Sequence, residues 1–354
     1  MKLQPLTILL AVALAAVPRV FSDTTFTATG VIDMLPTSIS DDGSIVVGVG
    51  TFGTPNLYYT EAGGAVVIGD GCPSGLPAIS GDGTTIVGCH VDAQGKWNAA
   101  KWLGGTSWDD LGTIAGGVPC DLFLSGAYGI NQDGTLAVGL MYLPQLCRAS
   151  AGTWDVRSGD ASLLPNMFGT DKTYSRANAV NADGTVIVGW QDQLTGERTA
   201  AKWVNGVEEL ILTEDGSLNG EAQAVSADGN AIVGGNYAYG GHFAWIWTPA
   251  TGVQPIGTDS RESFTALDVS DDGKTVIGFT SHNRPFIWRQ VKGTFYMLNF
   301  LRSRGAVIPD GFRMTTNSVI SANGNIIYGW GFNADLLIEM FKVDLNASAA
   351  GPSH

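Results

Sequence analysis

Apolar residues in this chain gather in short runs, not in helical stripes, and the runs are separated by turn-forming residues. In "AVNADGTVIVGW", residues 179–190, the stretch Arg176–Val180 alternates small and apolar side chains, as a half-buried strand does. Asn181 to Gly184 then supplies turn chemistry, with Asn181 able to hydrogen-bond the backbone two residues on and Gly184 free to take φ > 0. The run "TVIVG" returns as a β-branched strand that is apolar on consecutive positions, the mark of a strand buried on both faces. A hairpin is predicted.

The same pattern occurs seven times, starting at Ser38, Ala78, Gly129, Ala179, Ala224, Asp268 and Val319, at spacings of 40, 51, 50, 45, 44 and 51 residues. That period is the size of a β-propeller blade. After each hairpin comes a strand with an aromatic near its end (Tyr59, Trp102, Trp154, Trp203, Trp247 and Trp288 in the first six copies), then a Gly-containing turn and a short apolar segment. Four strands per period make one blade. The seventh copy stops after its third strand, while "GVIDML", Gly30 to Leu35, precedes the first hairpin without a blade of its own. Pairing these leftovers closes the ring and hides two strand edges. The expected fold is therefore all-β: a seven-bladed β-propeller of four-stranded antiparallel blades, closed by an N-terminal strand completing the last blade. One short helix is predicted where Leu298, Leu301 and Arg302 precede Gly305.

At the N-terminus, Lys2 is followed by apolar residues from Leu6 to Val17, too few to span a bilayer but suited to the core of a secretory signal. Residues 1–22 are expected to be a signal peptide, 23–346 one propeller domain and 347–354 a loose tail containing part of the Asn346-Ala347-Ser348 sequon. The formal charge of −14 becomes −16 without the leader, because it carries Lys2 and Arg19 and no acid. Such a surface disfavours nucleic acid and anionic membranes, so neither is expected as a partner. No membrane insertion is expected either, and the chain is expected to be a monomer. Four cysteines, Cys72, Cys89, Cys120 and Cys147, form an even set in an exported chain, for which three pairings are open. Cys72–Cys89 and Cys120–Cys147 are favoured because each pair brackets one hairpin.

These repeats resemble the HAF family of extracellular repeat proteins. The likeness rests on the pattern [AVI][SN]xDGxx[IV]VG with its aromatic-ended strand, and on the segment "LNFLRSRGAVIPDGFRMTTNSVISANGNIIYGWG", residues 298–331. It covers roughly residues 30 to 345. The His-Ala-Phe signature survives as variants, "HFAWIW" at 242, "TAAKW" at 199 and "RPFIW" at 284. The resemblance implies an exported, propeller-like protein and no defined reaction.

The turn residues Asp42, Asp82, Asp133, Asp183, Asp228, Asp272 and Asn323 invite a metal reading. Calcium loops need several acids at alternate positions plus a distal carboxylate, whereas these turns offer one acid or two adjacent ones. They read as structural turns, and neither a metal nor another cofactor is expected. No catalytic constellation is recognisable: there is no GxSxG or HExxH, the turns lack the spacing of a sialidase Asp-box, and Arg148, Arg176, Arg198 and Arg284 are scattered over several blades. The loops opposite the Asp-Gly turns collect more chemistry. There Trp190, Phe279 and Trp330 each follow the glycine ending a second strand, with Tyr174, Tyr237, Tyr239, His242 and His282 on the same loops and Arg198 and Arg284 nearby. Rings with a few polar groups suit a glycan or an extracellular protein. The preferred reading is an exported, non-catalytic binding or adhesion module. The alternatives are an extracellular carbohydrate-active hydrolase or lyase, and a structural envelope or matrix protein.

Overall fold

The computed structural model describes residues 23–51, 55–72, 75–114, 124–143, 146–217, 220–235, 243–258 and 261–347. They form seven four-stranded antiparallel sheets, six of them in simple chain order. In the seventh, Asp23–Ile32 pairs with the last strand, Ile338–Ala347, and so closes the ring. The closing strand lies earlier than Gly30–Leu35. Asp33 adopts φ 59° and ends it, and Met34–Ile39 becomes the first strand of blade 1. The signal peptide expected over residues 1–22 lies outside the described residues, as do residues 348–354, whereas Ala347 ends the last strand.

The double apolar run of each second strand is explained by its two neighbours. Ile187 packs with Val138, Ala151 and Trp203 on one side of its sheet, and Val188 packs with Ala222, Ile232 and Trp245 on the other. No solvent face remains, so alternation is lost.

Six first strands carry an extra residue at the same position, leaving Thr37, Tyr128, Asn178, Gln223, Leu267 and Ser318 unpaired in the ladder. Across the bulge sits the glycine of "VG". A Cβ on Gly189 would lie 2.0 Å from the Arg176 carbonyl oxygen, and one on Gly278 would lie 2.0 Å from that of Thr265. The bulge brings the first strand so close that only glycine fits, and it re-aims one side chain per blade inward.

The turn ends of the blades are linked around the axis by backbone hydrogen bonds. Asp41 N–H donates to Gly81 (2.9 Å), Gln132 to Ala182 (3.3 Å), Ala182 to Ala227 (3.2 Å), Asp271 to Ala322 (2.9 Å) and Ala322 back to Asp41 (3.1 Å). The expected helix is present as Met297–Ser303, followed by Gly305 at φ 80°. Its Met297, Phe300 and Leu301 pack against Ile277 and Ile287 of blade 6 and Phe26 and Phe341 of blade 7, filling the seam beside the ring closure.

Candidate functional site

The turn acids are bound up in local structure. Asp183 Oδ1 accepts from the Thr185 N–H at 3.0 Å and its hydroxyl at 2.6 Å, while Asn181 Oδ1 accepts from Val186, five residues on, at 2.8 Å. The two-residue bond expected of Asn181 is thus made by Asp183. Where serine replaces that asparagine, one hydroxyl does two jobs: Ser40 Oγ accepts from Ile45 N–H (3.1 Å) and donates to Asp42 (2.7 Å). Asp82, Asp133, Asp228, Asp272 and Asn323 repeat the bond to the backbone two residues on. The Thr185 hydroxyl, then its N–H, holds the Asp183 carboxyl below its ordinary value, because both donate to the charged form.

The central channel encloses a cavity of about 220 Å³. First strands line it, including the bulge residues Tyr128, Asn178 and Gln223, so the second-strand rings Trp190, Phe279 and Trp330 stand one strand further out. Asp268 occupies the wall where the other copies have Ser, Ala, Gly or Val. Burial pushes its carboxyl up to about 7 even though it accepts the N–H of Val269 and that of Ile320 from the next blade, both at 2.8 Å.

A larger hollow, about 470 Å³, opens between blades 3 and 4. Tyr128 and Tyr142 contribute from blade 3, and Tyr174, Arg176, Trp190 and Arg198 from the blade 4 side. Antiparallel pairing builds it: Arg176 lies opposite Trp190, and Asp192 opposite Arg198. Trp190 is the floor and not an open platform. It is 6% exposed, and the Arg198 guanidinium lies over its ring at 3.4 Å. Tyr174 is the accessible ring, 42% exposed, with Arg148 over it at 4.6 Å. The Arg176 guanidinium stacks on Tyr128 at 4.5 Å. Glu221, from the start of blade 5, ties the arginines together: it accepts from Arg198 Nη1 at 2.5 Å and Arg176 Nη2 at 3.2 Å. Asp192 accepts from Arg198 Nε at 3.3 Å. Burial raises the Asp192 carboxyl, and Arg198 offsets this only in part.

A second carboxylate knot lies in blade 6. Glu262, fully buried at its side chain, accepts from Arg284, from the Tyr296 hydroxyl and from His282 Nδ1 at 3.2 Å. Burial pushes this carboxyl up, and hydrogen bonds from Thr280, Tyr296, Arg284 and His282 outweigh that, leaving it below its ordinary value. His282 and Arg284 therefore share one partner. Phe279 is half-buried between Thr265 and Pro285 in the sheet. Trp330 meets Phe332 edge-on at 6.1 Å, beside Arg313. Neither lines the hollow that holds Trp190. Tyr237, Tyr239 and His242 lie outside the described residues.

Sequence reasoning set aside Arg148 and Arg176 as scattered and named Arg198 only as a neighbour of the loop rings, and it did not single out Tyr128, Tyr142, Asp192 or Glu221. The first three are far apart in the chain but occupy equivalent blade ends. A usable signal was present: Arg176, Trp190 and Arg198 fall at strand ends of one hairpin pair, on the side away from the Asp-Gly turn.

The Cys72–Cys89 disulfide is present and brackets the blade 2 hairpin, joining residues 17 apart in sequence. A loop of that size contributes about 3 kcal/mol in the chain-entropy picture. Cys147 is also oxidised, and Cys120 lies outside the described residues. Among the described residues no helix is long and apolar enough to cross a membrane.

No protein-family model and no curated protein matches the chain. Its architecture is similar to that of oligogalacturonate lyase from Vibrio parahaemolyticus (15% identity, 90% of this chain and 93% of that one, TM-score 0.57). It is also similar to the β-propeller domain of the Trilobed protease from Pyrococcus furiosus (13% identity, 90% and 95% covered, TM-score 0.54) and to Kuenenia stuttgartiensis hydrazine synthase (13%, 88% and 97%, TM-score 0.51). Likeness at this identity shows a shared propeller fold and nothing about chemistry.

Proposed function

We propose that the protein is an exported, non-catalytic binding module and that its ligand, a glycan, occupies the hollow between blades 3 and 4. One observation carries this reading: an accessible tyrosine, Tyr174, stands over a concave site of about 470 Å³ floored by Trp190 and walled by Tyr128, Tyr142 and two arginines. Volumes of ~300–1,000 Å³ are usual for small-ligand sites. Tyrosines offer an apolar face to a sugar ring and a hydroxyl to its rim, which a purely apolar groove does not. Export is supported by the oxidised cysteines, which fit an oxidising compartment, and by the leader-like N-terminus. The resemblance of the repeats to the HAF family points the same way.

The test is a glycan array probed with purified protein, followed by incubation of each bound glycan and analysis for cleavage. Retention without fragments is expected, and Tyr174→Ala should abolish retention while melting close to the parent. Fragments would replace the non-catalytic reading with a hydrolase or lyase. Retention only of extracellular proteins, and of no glycan, would replace the glycan by a protein ligand.

A further inference from the structure

The hollow carries more positive charge than its own carboxylates absorb. Arg176 and Arg198 line it and Arg148 stands at its rim on Tyr174, against Asp192 and Glu221: three cations to two anions, on a chain of formal charge −14. The guanidinium edges are also only partly used. Arg198 spends Nε on Asp192 and Nη1 on Glu221, and Arg176 spends Nε on Asn178 and Nη2 on Glu221. Arg148 donates from Nη1 to the Lys172 carbonyl at 2.6 Å, while its Nε is buried without an acceptor. Arg198 Nη2, Arg176 Nη1 and Arg148 Nε and Nη2 thus have no acceptor among the described residues.

A buried guanidinium N–H without an acceptor is costly, and Arg148 Nε is one, beside the Tyr174 ring. Planar donor forks match a carboxylate, which accepts two parallel N–H bonds, and such charge-assisted pairs are about twice as strong as neutral ones. Local positive excess on an acidic protein also concentrates an anion at this place. The neighbouring tyrosines supply the surface a sugar ring needs. We infer that the ligand of this hollow is an acidic saccharide, a uronic-acid oligosaccharide whose carboxylate meets Arg148 Nη2, Arg176 Nη1 and Arg198 Nη2 while a sugar ring rests on Tyr174. This rests on the glycan-binding reading above and adds the charge of the sugar.

The experiment uses calorimetric titration of the full chain with tetrasaccharides of galacturonate, mannuronate, guluronate and glucuronate, their methyl esters, neutral cellotetraose and chitotetraose, and dextran sulfate. At least one free acid should bind, its methyl ester should bind at least tenfold more weakly, and the difference should shrink as salt rises. Arg148→Gln should cost the acid tenfold or more and the ester several-fold less than that, and Arg148→Lys, which keeps the charge but not the planar guanidinium, should fall between. The acid–ester contrast on the parent protein stands even if a variant unfolds. Equal affinity for acid and ester, or binding of neutral sugars alone, would overturn the acidic ligand and leave the glycan reading intact. Dextran sulfate binding as tightly as any uronate, and equally to Arg148→Gln, would mean a general polyanion surface and would overturn it too. If no saccharide binds, both readings fall.

Discussion

The side of the propeller that carries the Asp-Gly turns and the side that carries the long loops solve the same problem differently. Both must place carboxylates at strand ends. On the turn side Asp42, Asp82, Asp133, Asp183, Asp228 and Asp272 each accept a backbone N–H two residues on, so every blade settles its own acid. On the loop side Glu221 and Glu262 are buried and are satisfied by side chains distant in sequence, Arg176 and Arg198 in one case and His282, Arg284 and Tyr296 in the other. Repetition marks scaffold here. Departure from the repeat marks the places where the chain keeps arginines, rings and carboxylates in contact, at a desolvation cost that scaffold alone does not require.

The most severe way to attack the scaffold is at its seam. Deleting residues 24–32 removes the strand paired with Ile338–Ala347 and exposes Phe341 and Val343, so the ring should fail to melt cooperatively. Removing residues 348–354 should leave the melting curve in place, and if the two truncations unfold alike in calorimetry, closure is not what holds the ring.

Next in size is a contrast within the hollow. Trp190→Ala should cost about 3–5 kcal/mol, as for other buried large-to-small changes. Tyr174→Ala should stay within about 1 kcal/mol, because surface changes are usually small. Denaturant titration of the two variants checks this, and equal losses would mean that the hollow is packing and not a site.

On the turn side, Gly184→Val should cost about 1–3 kcal/mol, since φ is +80° there and a Cβ would also meet Leu136 Cδ2 at 3.0 Å. A melting shift no larger than that of a surface substitution would show the turn to be permissive.

A carboxyl outside both sets should also separate from the turn acids with pH. Glu208, in the outer strand of blade 4, has both carboxyl oxygens buried, and burial pushes it up to about 7, the nearby Met167 N–H offsetting this only slightly. Its folded state binds a proton more tightly than the unfolded chain, whose ordinary value is 4.5. Stability from this group is therefore complete below that value and lost as pH rises towards 7. The turn acids act in the opposite sense, stabilising above their ordinary value and failing as pH falls through their lowered folded ones. Glu208→Gln should raise the melting temperature at pH 8 and not at pH 4, and a gain that is the same at both would remove the linkage. Smallest of all, Asp183→Asn should be close to neutral, because Asn323 already makes the same bond to its N–H two residues on, at 3.0 Å. A calcium-dependent melting shift that disappears in this variant would return the turns to metal chemistry.

The amino-acid sequence alone determined the blade number, the strand order and the hairpin positions, because each is written in local chemistry. Asp-Gly or Asn-Gly turns and β-branched runs act over fewer than a dozen residues and recur seven times, and a glycine lies across from each of the six bulges. The leftover segments at the two ends also implied closure, although the boundary moved from Gly30–Leu35 to Asp23–Ile32 once Asp33 took a left-handed turn. The hollow between blades 3 and 4 was beyond such reading. Trp190 was visible, but Tyr128 reaches the hollow only because a bulge turns it, and Glu221 meets Arg176 and Arg198 only because the next blade begins beside them. Tertiary structure also made Trp190 the floor of the hollow, by laying Arg198 across its ring. Spacing along a chain fixes what neighbouring residues do to one another, whereas which strand ends share a rim is set by the twist and curvature of the whole ring.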